Sequence, residues 1–209
     1  MKRVILLLLL LSACEDDPAQ PQGNQRAQTF QALTTREAVL NNLELAWTKR
    51  NVDKIDELLD DDFTFYFSQG DVGGGLPPSW GRAAELAATT ALFISNSSPP
   101  PSGPVCTRVL VDIALDDAIW TEVPGPVAAL GEVWYSATVS YTATFEMEPD
   151  DTYITVPGAT AEFIVRQVED DQWRLVEWHD LPGDAVGPAF AAAVGESTWG
   201  SIKYLYVAK

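Results

Sequence analysis

EVWYSATVSYTATFEM, residues 132–147, alternates without a break. Val133, Tyr135, Ala137, Val139, Tyr141, Ala143, Phe145 and Met147 fall on one side, and Ser136, Thr138, Ser140, Thr142 and Thr144 on the other. Successive side chains of a strand point to opposite faces, so this run predicts one long strand with a dry and a wet face, the habit of an antiparallel sheet. The same period extends outward from it. Upstream, residues 105–115 place Val105, Val109, Val111, Ile113 and Leu115 at odd positions. Downstream, residues 153–156 and 159–168 form a strand kinked at Pro157-Gly158. The acidic turn Glu169-Asp170-Asp171 then leads into a last strand, residues 173–180.

Before residue 105 the period is 3.6. Thr34 and Glu37 are spaced as a capping box ahead of Leu40, Leu43, Ala46 and Trp47, which predicts a first helix. Asn51 caps a short second helix with Val52, Ile55, Leu58 and Leu59 on one face, and the run Asp60-Asp61-Asp62 stops it. Residues 63–67, FTFYF, read as a strand and residues 69–78, QGDVGGGLPP, as a loop. Ser79 caps a third helix, residues 80–94, which the proline run at 99–101 closes off. The tail from Thr198 to Tyr206 reads as a short helix in preference to a strand. Helices first and long alternating strands after them predict an α+β fold, a cone-shaped roll with N-terminal helices packed on a curved antiparallel sheet.

The start of the chain, MKRVILLLLLLSAC, places two bases before eight aliphatic residues and ends in small residues and Cys14. A bilayer span needs roughly 20 apolar residues, so this segment is too short for one. It resembles the lipobox of bacterial lipoproteins, which implies that residues 1–13 are a signal peptide and that Cys14 carries the lipid. Residues 14–29 lack any large aliphatic side chain and read as a flexible tether, and residues 30–209 as a single domain. The location implied is the bacterial cell envelope, with the membrane as partner through the lipid on Cys14. Residues 1–13 hold two of the 13 bases and none of the 30 acids, so the remainder has 11 bases against 30 acids, a formal charge of −19. That excludes nucleic acid, whose phosphates are bound by clustered Lys and Arg. One histidine and one further cysteine, Cys106, give no metal-ligand cluster and no internal disulfide, and no cofactor is expected. Cys106 reads as a small buried hydrophobe on a strand.

Three motifs carry a second resemblance. Ala46-Trp47 with Asn51-Val52-Asp53 closes the first helix, and Leu58-Leu59-Asp60-Asp61-Asp62-Phe63 enters the first strand. Trp80-Gly81-Arg82-Ala83-Ala84-Glu85 opens the third helix, and Gln172-Trp173-Arg174-Leu175-Val176-Glu177 lies in the last strand. In that order, over residues 34–180, they resemble the nuclear transport factor 2-like superfamily of cystatin-like rolls, to which polyketide cyclases and ketosteroid isomerases belong. The resemblance implies a cavity between helices and sheet, used across the superfamily for isomerases, dehydratases, cyclases, epoxide hydrolases and plain binding modules. The isomerases' oxyanion tyrosine falls here at Leu43 and their general-base aspartate at Phe67, and neither residue transfers a proton. Dehydratases of the scytalone type use two histidines, and this chain has His179 alone. The Asp-Arg-Asp arrangement of the epoxide hydrolases is not visible in the sequence.

Glu177 and His179 lie two apart on the last strand, which predicts one shared face with Trp173 and Leu175. On a cavity wall they would be a general acid/base pair; at a sheet end they would be satisfied by solvent and neighbours. Trp47, Tyr66, Trp80, Trp134 and Trp178 are candidates for stacking on a flat ligand or for core packing. Arg82 is a candidate to meet an anionic ligand or to pair with acids such as Glu85. The readings left open are a lipid-anchored envelope domain, monomer or homodimer, that binds a small hydrophobic ligand or a partner protein without catalysis, an enzyme using His179 and Glu177, and a structural protein whose cavity its own aromatics fill. Cys14→Ser, expressed beside the wild type in a Gram-negative host, should move the protein from the detergent phase to the aqueous phase on partition. Equal partition of the two proteins contradicts lipidation.

Overall fold

A computed structural model describes residues 29–93, 105–123, 132–148, 152–168, 171–181, 198–204 and 206. Cys14, the segment read as a signal peptide and most of the stretch read as a tether lie outside the described residues, as do the proline run and residues 182–197. Helix α1 is Arg36–Thr48, α2 is Val52–Leu58, β1 is Leu59–Tyr66, α3 is Gln69–Gly73, β2 is Ser79–Gly81 and α4 is Arg82–Phe93. The long strands follow as β3 (Val105–Ile113), β4 (Ile119–Val123), β5 (Trp134–Glu148), β6 (Thr152–Gln167) and β7 (Trp173–Leu181), and α5 is Trp199–Tyr204. One sheet runs β2-β1-β7-β6-β5-β3, with β4 on β5 as well. Every pair is antiparallel except β1 with β7. The fold is thus α+β, helices on one side of an open, largely antiparallel sheet, as the sequence predicts.

From Ala137 onward the decisive run follows its alternation, but before it Trp134 and Ser136 are buried while Val133 and Tyr135, expected on the dry face, are half-buried. Ala137, Val139, Tyr141, Ala143, Phe145 and Met147 are buried, while Thr138, Ser140 and Thr142 are exposed. Its neighbour β6 continues through the predicted kink, where Ala159 pairs with Tyr141 and Val156 with Ala143, so that Pro157 and Gly158 together face Thr142. Gly158 has φ +58°, a conformation glycine takes without a Cβ penalty, and the bulge bends the sheet.

Several predicted boundaries shift. Thr35, not Thr34, caps α1, accepting from the Ala38 N–H at 3.1 Å. Asn51 caps α2 as expected, accepting from the Lys54 N–H at 3.0 Å. The acidic run does not lie outside the strand; β1 begins at Leu59 and contains it. The reason is Arg166 on β6, whose Nε and terminal nitrogen donate to the two Asp60 carboxylate oxygens at 2.9 and 2.6 Å, so Asp60 is buried rather than solvated. Ser79-Trp80-Gly81 pairs with β1 as a short strand, which delays the third helix to Arg82. The glycine-rich loop contains one helical turn, capped by the Ser68 hydroxyl. β4, absent from the sequence reading, adds an edge strand on β5.

Val139→Ala removes two methyl groups from a well-packed site and should cost roughly 1–3 kcal/mol in urea unfolding, whereas Thr138→Ala on the solvated face should change stability by less than about 0.5 kcal/mol. Equal costs would show that the assignment of the strand's two faces is wrong.

Candidate functional site

The space between α1, α4 and the inner face of the sheet is where a ligand pocket was expected, and it is packed with the protein's own rings. Trp199, at the start of α5, lies at its centre. Its ring stands 4.5 Å from Trp47, 5.2 Å from Trp178, 5.4 Å from Phe145 and 5.8 Å from Tyr141, centroid to centroid. Edge-to-face and tilted arrangements of this kind satisfy the ring quadrupoles. The indole N–H groups of Trp47, Trp178 and Trp199 meet no acceptor among the described residues, so ring packing rather than hydrogen bonding positions them. Among the described residues two recesses lie elsewhere, one of about 40 Å³ beside Phe30 and Leu33 and an open groove of about 520 Å³ beside Arg82.

Three polar contacts hold α5 in this position, the second and third of them buried. Thr198 caps the helix, accepting from the Ser201 N–H at 3.0 Å, and its hydroxyl donates to Asp71 at 2.6 Å. The Gly200 N–H donates to Asp180 Oδ2 at 3.1 Å, and the Tyr141 hydroxyl donates to Asp180 Oδ1 at 2.9 Å. Only glycine fits at 200, because a Cβ there would stand 2.7 Å from the Phe67 ring. The third contact is an ion pair. Lys203 is 0% exposed, and its Nζ donates to both Glu85 oxygens, at 2.9 and 2.8 Å. Glu85 also accepts from the Trp80 indole N–H at 2.9 Å. The ammonium lies 3.5 Å from the Phe65 ring centroid and 4.6 Å from that of Trp178. Burial pulls the Lys203 pKa below its ordinary value, opposed by Glu85 and Asp180. Burial likewise pushes Asp180 up to about 6, against the lowering influence of the Gly200 N–H, the Tyr141 hydroxyl and Lys203.

Of the residues singled out in the sequence, Glu177, His179 and Tyr66 meet one another, and the rest do not converge with them on one site. Trp47 and Trp80 are buried in the core, and Trp178 packs against Phe163 and Phe65 within it. Trp134 lies under Arg166, whose guanidinium carbon is 5.6 Å from its ring. Arg82 pairs not with Glu85 but with Asp56 at 2.6 Å, Asp61 being 3.8 Å away. Cys106 is buried on β3 as expected, and burial pushes its thiol up to about 11. The shared face predicted for Trp173, Leu175, Glu177 and His179 is broken by a bulge. Val165 on β6 pairs with Leu175, but the next residue back, Ile164, pairs with Glu177, leaving Val176 as the extra residue. Leu175 and Val176 are therefore both buried, Trp178 and Asp180 turn inward, and Glu177 and His179 turn outward.

On that outer face His179 Nε2 lies 2.6 Å from Glu177 Oε2, and the imidazole stacks on Tyr66 at 4.2 Å with the rings 10° from parallel. Burial, with a smaller contribution from the Glu177 charge, raises the Tyr66 pKa. The pair can pass a proton, but it lies outside the packed interior. An Asp–Arg–Asp group does form, Arg166 reaching Asp60 at 2.6 Å and Asp62 at 3.2 Å, on a residue that alternates with core-facing Val165. Among the described residues no three His, Cys, Asp or Glu side chains are grouped to hold a metal ion, and no helix is long and apolar enough to cross a membrane. The part that Glu85, Asp71, Asp180, Tyr141 and Lys203 play in holding α5 escaped the sequence reading. The available signal was Lys203, a lone cation between the apolar Ile202 and Tyr204.

No protein-family model matches the sequence, and no curated protein sequence matches it. Similar solved structures include a conserved protein from Planctomyces limnophilus, 13% identical, covering 69% of this chain and 91% of that one at a TM-score of 0.48. Others are a nuclear transport factor 2-like superfamily protein from Salmonella enterica, 11% identical over 73% and 92% of the two chains at 0.44, and hexachlorocyclohexane dehydrochlorinase from Novosphingobium barchaimii, 10% identical over 75% and 88% at 0.46.

Asp180 gives the interior a pH signature. Its pKa rises from 3.8 to about 6 on folding, so the folded state holds the proton more tightly between those values. Its contribution to stability is therefore most favourable at low pH and declines as pH rises from about 4 to 6, then levels off. Asp180→Asn removes this dependence. The stability of the variant relative to wild type, from urea titrations, should rise across that window and stay constant above it. A flat difference from pH 4 to 7 contradicts the assignment.

Proposed function

We propose that this chain is a lipid-anchored protein of the bacterial cell envelope whose folded domain binds without catalysis, and that its ligand is a partner protein met at the surface rather than a small apolar molecule held inside. The observation that carries the reading is the position of α5: Trp199 and Lys203 occupy the space between helices and sheet where a ligand would sit. The candidate proton-transfer residues, Glu177 and His179, face away from that space. The lipobox-like start and the acidic composition support an anchored protein whose own surface does not bind anionic lipid. An apolar fluorophore such as 1-N-phenylnaphthylamine, titrated into the full-length protein, should show no saturable one-to-one binding. Saturation at one probe per chain would establish an open interior pocket and defeat the reading.

The enzyme reading keeps one observation in its favour, the 2.6 Å contact between His179 and Glu177 beneath Tyr66. The single imidazole can be followed by NMR across pH. On the binding reading its resonance should ignore a panel of small hydrophobic carbonyl compounds, and a ligand-dependent change that Glu177→Gln abolishes would favour catalysis instead.

A further inference from the structure

The surroundings of Lys203 go beyond that reading and do not rest on it. Five elements converge on one ammonium group: Phe65 from β1, Trp80 from β2, Glu85 from α4, Trp178 from β7 and Trp199 from α5 itself. Ring centroids stand 3.5, 5.8, 4.6 and 5.8 Å from Nζ for Phe65, Trp80, Trp178 and Trp199. A cation within about 6 Å of an aromatic face is attracted by the ring quadrupole, and several such faces around one nitrogen are the means by which proteins recognise ammonium ligands. The carboxylate refines the choice. Glu85 takes one N–H on each oxygen, at 2.9 and 2.8 Å, and the Trp80 indole donates to one of the same oxygens, Oε2, at 2.9 Å. Glu85 is 1% exposed, so without the cation its charge would be buried with only the indole N–H for company.

We infer that this box is a receptor for a primary ammonium group, with Lys203 as its built-in occupant, and that once the Lys203 side chain is gone it takes a small primary alkylamine from solution. A quaternary ammonium ion has no N–H for the two Glu85 oxygens, and its methyl groups would hold the nitrogen away from them. Sodium, a hard cation, is suited to oxygen ligands, and four of the five walls are ring faces. The ligand class is therefore a primary amine on a short apolar stem.

Lys203→Ala leaves the Cβ and removes three methylenes and the ammonium, the size of n-propylammonium. The thermal midpoint of the variant should fall by several degrees, and n-propylammonium chloride should restore at least half of the loss with saturating dose dependence. Sodium chloride and tetramethylammonium chloride at equal ionic strength should not. Glu85→Gln/Lys203→Ala should show no amine-specific rise, and neither should the wild type, whose box is filled. A rise that all three salts produce, or one that persists without the Glu85 carboxylate, overturns the inference. If Lys203→Ala does not fold alone, refolding from urea in n-propylammonium but not in sodium chloride supports the inference, and failure to refold in both overturns it.

Discussion

The rest of the interior depends on one constraint: a lysine ammonium cannot be taken out of water unless a fixed counter-charge and hydrogen-bond acceptors meet it. Removing the two charges of Lys203 and Glu85 from solvent costs several kcal/mol per ion, and their mutual attraction offsets this only with good geometry. Here the geometry is two N–H···O bonds to one carboxylate, that carboxylate held by Trp80, and ring faces around the nitrogen. Such a pair contributes less to net stability than to placement. It admits one position of α5, the one that carries Trp199 into the middle of the fold. Glycine at 200, the Asp180 carboxylate and the Thr198–Asp71 contact are conditions of the same placement, because each is made only when α5 is inside.

A second constraint separates the two faces of the sheet. The single extra residue at Val176 rotates the end of β7, so that Trp178 and Asp180 serve the interior while Glu177 and His179 meet Tyr66 on the outside. Interior polar groups thus anchor the chain to itself, and the histidine belongs to the surface. Among the described residues several cations are already engaged, Arg166 with Asp60, Arg82 with Asp56, Lys54 with Glu57 and Lys203 with Glu85. In a chain with 30 acids against 13 bases, this pairing leaves the surface field negative.

The amino-acid sequence by itself determined the class of fold. The alternation in residues 132–147 has period 2 over its whole length, and no helix can keep eight such positions on one face. The 3.6 period of α1 and the Asn51 cap of α2 are equally local, since each depends on residues within a turn of one another. Only the tertiary structure decided the site. The bulge at Val176 is set by pairing with β6 and leaves no local mark, so a period of 2 read straight through it put His179 on the wrong face. Asp60 joined a strand because Arg166 lies 106 residues away in sequence but within 2.6 Å in space. Lys203 entered the core because Glu85, 118 residues earlier, waits there. Charge marks a side chain for solvent unless a distant partner removes that cost, and the partner is chosen by the fold rather than by neighbours along the chain.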